Sequence, residues 1–219
     1  MRLNRFIAQQ TDISRRKADA LIDSGDVVVD RQPAHPGMDV SGREVIIING
    51  RKLKPKRIIY RTIALYKPVG YVCSRDGQGS PTVYDLLPGE YHHLNVAGRL
   101  DKDSSGLVIL TNNGKLMQEL THPSNDKQKT YTVELNRPLE DGMIAKLAKG
   151  VDIGDARVSK LMVAPLKGNT YEVNMQEGRN RQIRRSFEAI GYQVSSLHRT
   201  RFGPYRLEDD HKIESYRIV

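Results

Sequence analysis

The chain has 219 residues, 38% of them hydrophobic and 28% charged, with a formal net charge of +9. That composition excludes a disordered polyelectrolyte, and no apolar run approaches the roughly 20 residues needed to span a bilayer. The excess of positive charge favours an anionic partner, with nucleic acid first and an anionic membrane surface second.

The stretch MRLNRFIAQQ lacks the apolar core of a secretion signal, and Cys73, the single cysteine, has no partner for an internal disulfide. A cytoplasmic protein is expected, with Cys73 a small buried residue. Leu3, Phe6 and Ile7 fall at i, i+3, i+4 and predict a short helix over residues 3–10. Ser14 is a good N-cap for a second helix, SRRKADALIDSG, with Ala18, Leu21 and Ile22 inward and Gly25 as its stop. Arg15, Arg16 and Lys17 crowd the first turn of that helix, where its dipole disfavours cations, so their gain lies elsewhere. DVVVDRQPAHPGMDVSGREVIIING predicts short strands broken by Pro and Gly turns.

Two short helices followed by a small sheet, with basic residues on the second helix, resemble the S4 RNA-binding domain. The resemblance implies that Arg15, Arg16 and Lys17 contact RNA; the competing reading is a solvated helix face. Residues 1–60 hold 12 lysines or arginines against 7 acids, a balance of +5 within the total of +9. RKLKPKR at 51–57 reads as an extended linker. The boundary is expected near 58–62, giving an S4-like domain over 1–60 and a second domain over 61–219.

RTIALYKPVGYVCS predicts a strand, a Pro-Gly turn and a second strand, and KTYTVELN is a β-rich run. His92 and His93 are adjacent, without metal-ligand spacing, and read as exposed loop residues; no metal site is expected. LEDGMIAKLAKG predicts a helix with Met143, Ile144 and Leu147 inward and Gly150 as its stop. VSKLMVAPLKGNTYEVNMQ predicts a hairpin turning at Gly168–Asn169. RNRQIRRSFEAIG predicts a helix closed by Gly191, and YQVSSLHRTRFGPYRL a returning strand. Together these give an α+β fold: the small front domain plus a domain with a mixed, mainly antiparallel sheet and flanking helices.

In the RNRQIRRSFEAIG helix, Ile183, Phe187 and Ile190 form an inward stripe, with Arg184 at its edge. An arginine so placed calls for a carboxylate, or else touches phosphate from a plain surface helix. The stretch AGRLDKDSSGLVILTNNG offers carboxylates at Asp101 and Asp103, two apart and so on one face of an extended chain. They read as a Mg²⁺ pair of a nuclease, though without a clear third ligand; or Asp103 is a turn former ahead of Ser104-Ser105-Gly106. In a third, competing reading Asp101 is a catalytic carboxylate whose surroundings Leu100 and Leu107 keep dry.

GRLDKDSSGLVILTNNG resembles the signature of the RsuA-type pseudouridine synthases, which modify bacterial ribosomal RNA. LYKPVGYVCS, SPTVYDLLP, KTYTV and EGRNRQIRRSFEAIGYQVSSLHRTRFGPYRL follow the family's order over nearly the whole chain, and EGRNRQIRR leans to the large-subunit branch. The resemblance implies isomerisation of a uridine in ribosomal RNA, free or in a ribosomal particle, by a monomer that needs no cofactor and no membrane. It implies that Asp101 is the nucleophile and Arg184 its salt-bridge partner. Tyr131 would be the active-site tyrosine that stacks on the base and takes part in proton transfer at C5. Leu197 would pack in the pocket, and Arg99 would fill the space of the flipped base or contact phosphate. Arg181 and Arg185 are expected to touch RNA. Read from the residues alone, Tyr131 is a strand aromatic and Leu197 a core leucine. The competing function is an RNA-binding ribosome assembly factor without catalysis.

Overall fold

The computed structural model describes residues 1–11, 13–122, 127–208 and 212–219. The chain divides into two compact units, Met1–Ile59 and Tyr60–Val219.

The first unit begins with helices α1 (Leu3–Gln10) and α2 (Arg15–Asp23). The Ser14 side chain accepts the amide of Lys17 and caps α2, while Gly25 leaves the helix at a φ of +80°. Leu3, Phe6 and Ile7 of α1 pack with Ala18 and Ile22 of α2 against a four-stranded sheet. Its strands are β1 (Val27–Val29), β2 (Gln32–Pro33), β3 (Ile46–Ile48) and β4 (Arg51–Lys52), in the antiparallel order β2-β1-β3-β4. Arg15, Arg16 and Lys17 all project into solvent.

The second unit is built on a nine-stranded sheet. Its strands are β5 (Thr62–Lys67), β6 (Asn95–Ala97), β7 (Ser105–Thr111), β8 (Lys129–Leu135), β9 (Met162–Pro165), β10 (Thr170–Met175), β11 (Val194–Phe202), β12 (Tyr205–Arg206) and β13 (Tyr216–Ile218). The main path runs β13-β5-β7-β11-β8-β10-β9, with β6 beside β7 and β12 beside β11. Every pairing is antiparallel except β7 with β11. Helix α3 (Gly114–Thr121) lies on one face over Ala64, Leu107, Ile109 and Phe202. Helices α4 (Met143–Lys149) and α5 (Gln182–Glu188) cover the other over Ile63, Leu65, Val108, Leu110 and Val133. The hydrophobic run of β7 is therefore shared between two cores, as expected of a strand covered on both faces. No helix among the described residues is long and apolar enough to cross a membrane.

Three sequence expectations are corrected. GYVCS forms no strand; Val72 makes one isolated bridge with Thr82, because Gly70 turns the chain at a φ of +97° and the segment instead braces a neighbouring loop. The α4 helix starts at Met143, since Gly142 sits at a φ of +82°. Helix α5 starts only at Gln182, because Arg181 adopts the left-handed region at a φ of +47°.

Candidate active site

The segment from Gly98 to Ser104 joins β6 to β7 and is tied down along its backbone. The Leu100 amide donates to the Cys73 sulfur at 3.4 Å, and the Gly70 amide donates to the Lys102 carbonyl at 2.8 Å. The Lys67 ammonium donates to the Ser104 carbonyl at 2.5 Å and to the Pro68 carbonyl at 2.9 Å. Leu100 and Ser104 turn inward, and Arg99, Asp101 and Asp103 turn outward. Lys67 is fully buried, and that burial pushes its pKa below the ordinary lysine value.

Across from this loop stands the start of α5. Arg181 donates from both terminal nitrogens to the two oxygens of Asp103, at 3.2 and 3.0 Å, and reaches Asp101 Oδ2 at 3.7 Å. The first contact is a bidentate fork, the second an ion pair too long for a hydrogen bond. Arg184 donates to the carbonyls of Val194 and Asp103 at 2.8 and 2.7 Å. Its Nε lies 3.3 Å from Asp103 Oδ2 but makes no hydrogen bond, so that contact is one of charge alone. Burial pushes the Arg184 guanidinium below its ordinary pKa, against the opposing charges of Asp103 and Asp101. Burial also pushes the Asp103 carboxyl up, but the Arg181 bond and the charges of Arg184 and Arg181 outweigh it and leave it below its ordinary 3.8.

The arrangement is two guanidinium groups converging on two carboxylates of a tethered loop. The sequence pattern described as RNA pseudouridylate synthase matches residues 61–189, which contain all four groups. The dual-specificity RNA pseudouridine synthase RluF of Salmonella typhi is 34% identical over 230 residues, covering 100% of this chain and 79% of the relative. The ribosomal large subunit pseudouridine synthase B of Yersinia pestis is 36% identical over 217 residues, covering 94% of this chain and 68% of the relative. A crystal structure of a pseudouridylate synthase superposes with a TM-score of 0.73 at 30% identity, covering 100% of this chain and 96% of the other.

The chain belongs to the RNA pseudouridylate synthase family.

In this pseudouridylate synthase the expected pairing of Arg184 with Asp101 is replaced. Arg181 is the ion-pair partner of Asp101, and Arg184 lies against Asp103. Arg181 stands at the N-cap of α5 with its backbone in the left-handed region, and its guanidinium lies against the loop carboxylates. Asp103 is therefore more than a turn former. Nor does Leu107 keep Asp101 dry: it packs on the α3 face of the sheet, and the Asp101 side chain is 37% exposed. Arg181 and Arg185, expected to touch RNA, are engaged within the chain. Arg185 donates to Asp155 Oδ1 at 2.7 Å and to the carbonyl of Ile153, pinning the 153–155 segment to α5.

Tyr131 on β8 and Leu197 on β11 sit diagonally on adjacent strands, both buried in the α4–α5 core. Arg99 is exposed, two residues before Asp101. Lys67 is a site residue that sequence reasoning missed. Its signal was present: Ile63, Leu65 and Lys67 share one face of β5, so the period-two pattern carries the lysine inward.

Proposed function

We propose that this chain isomerises a uridine of ribosomal RNA to pseudouridine, in the cytoplasm, with Asp101 as the nucleophile. The convergence of Arg181 and Arg184 on the Asp101–Asp103 loop, inside the family-matched region, carries the reading. The reaction breaks the N1–C1′ bond, turns the base and joins C5 to C1′. C5 gives up a proton and N1 gains one, so no atom or electron is exchanged with a second reactant. The uridine has to leave its stack, because C1′ is out of reach inside a helix.

Asp101 is half-exposed, which leaves it open to an extruded nucleotide. Arg181 and Arg184 hold negative charge at the loop, both before the attack and when the carboxylate is released again. Tyr131 and Leu197 form the wall against which the base packs, and the Tyr131 hydroxyl is the group assigned to proton transfer at C5. Arg99 fills the place the base leaves or grips a phosphate.

The front unit, read as an S4-like domain, supplies affinity. Supporting that role is a groove of about 560 Å³ lined by Lys17, Arg51, Lys52, Lys54 and Lys56 over Leu21, with no carboxylate among its described lining residues. Cations without acidic neighbours suit a phosphate backbone.

The test is tritium release from C5-labelled uridine in ribosomal RNA. Asp101→Asn should fold and bind RNA as the parent does, yet release no tritium, because a neutral amide is no nucleophile. Turnover by Asp101→Asn would remove Asp101 from the mechanism. An inactive parent chain on every ribosomal RNA and particle would favour an assembly factor that docks without catalysis.

A further inference from the structure

Arg199 is 1% exposed on β11, and no carboxylate lies within ion-pair distance of it among the described residues. A buried guanidinium without a counter-ion is costly, so its contacts must repay the desolvation. Those contacts converge on one place. Nε donates to the Leu107 carbonyl at 2.8 Å, just after the loop enters β7. Nη2 donates to the Gly98 carbonyl at 3.1 Å, where the loop begins. The guanidinium also lies over the Phe202 ring, 4.8 Å from its centroid.

This geometry is built by an irregularity. Residues at i and i+3 of a regular strand face opposite sides. The pairing of β11 with β8 slips by one residue between Arg199 and Arg201, which brings Arg199 and Phe202 to one side. Two glycines make room. A Cβ on Gly98 would meet the Phe202 ring at 2.8 Å, and one on Gly106 would meet the Arg199 carbonyl oxygen at 2.3 Å.

We propose that Arg199 is a positioning residue for Asp101: it fixes the start of the Gly98–Ser104 loop, as Lys67 fixes its end, so the nucleophile is presented in one place. Neither cation reaches the reacting atoms; both act on the loop backbone. The inference rests on Asp101 being the nucleophile. It adds that the loop's order is imposed from beneath, by β11, independently of the Arg181 and Arg184 contacts in front.

Arg199→Lys tests it in the full-length chain. A lysine ammonium can keep one of the two carbonyls but cannot span both. The expected result is a kcat lower by on the order of 10- to 100-fold, since about 1 Å of misplacement has that effect, with KM for the RNA within about twofold. Amide hydrogen exchange should quicken at Leu100 and Ser104 and stay unchanged at Val108–Leu110. Lys67→Gln should reproduce the same split between kcat and KM from the other end. An Arg199→Lys chain that folds and turns over at the parent kcat overturns the proposal. So does unfolding of both variants, which would make Arg199 and Lys67 supports of the sheet. Asp101→Asn, assayed alongside, separates the two readings. If it is active, the nucleophile assignment fails whatever Arg199→Lys does. If it is inactive while Arg199→Lys is fully active, the positioning role alone fails.

Discussion

Arg181 grips both oxygens of Asp103, at 3.2 and 3.0 Å, and through the same guanidinium reaches Asp101 at 3.7 Å. One residue thus couples the two carboxylates, and Asp103 fixes where Arg181 stands. Asp103→Asn keeps the size and loses half the fork. Its kcat is expected to fall about tenfold, because Arg181 is then free to leave Asp101. The side chains are 43% and 46% exposed, so the loss of stability should stay within about 1 kcal/mol. Parent-like turnover by Asp103→Asn would return Asp103 to a turn former.

Arg184 joins three groups from one planar head: the Val194 carbonyl, the Asp103 carbonyl and the Asp103 carboxylate. An ammonium has no such fork. Arg184→Lys should lose most activity and about 1 kcal/mol of stability, because the Val194 carbonyl is only partly buried and the Asp103 carbonyl is open to water. Urea unfolding and tritium release measure the two separately. A variant that loses neither would place Arg184 outside the site.

The front unit carries its own pH signature. Glu44 accepts the amides of Ser41 and Gly42 at 2.8 Å each and the Ser41 hydroxyl at 2.9 Å. The Ser41 amide is the main cause that lowers its pKa from 4.5 to about 2. A carboxylate depressed in the folded state contributes stability above its unfolded value and loses it as pH falls through the folded one. Amide exchange of Val27–Val29 and Ile46–Ile48, taken relative to the intrinsic rate at each pH, should therefore quicken between pH 4.5 and about 2 in the parent chain. In Glu44→Gln it should be faster at pH 7 and less sensitive to acid over the same range. Parallel acid profiles for the two proteins would contradict this.

Arg15, Arg16 and Lys17 are exposed on the first turn of α2. Replacing all three with Gln should weaken RNA binding and lower the slope of log K against log salt by about 2, at roughly 0.7 per phosphate of a single strand. kcat at saturating RNA should not change. An unaltered slope would show that these cations stay in water.

Much of this architecture was legible in the residues. Leu3, Phe6 and Ile7, the Ser14 cap, the Gly168–Asn169 hairpin and the apolar run of β7 are local signals, because spacing and turn chemistry act over a few residues. GRLDKDSS likewise marked the loop that bears the carboxylates. What the sequence left open is which charges meet. Arg181, Arg184 and Arg185 stand within five residues of one another, yet one grips Asp101 and Asp103, one faces Asp103 and one binds Asp155. That division follows from the packing of α5 between the Gly98–Ser104 loop and the 153–155 segment, which has no local signature. Arg199 is the extreme case. By composition it is one more surface cation, and only the β7–β11 junction, where distant segments close over it, buries it under the Gly98 carbonyl. Sequence determined which residues the site has to work with; the long-range strand pairing decided where each charge stands, because the guanidinium groups of Arg181, Arg184 and Arg199 each meet a carboxylate or carbonyl of the loop across 78 to 101 residues of chain.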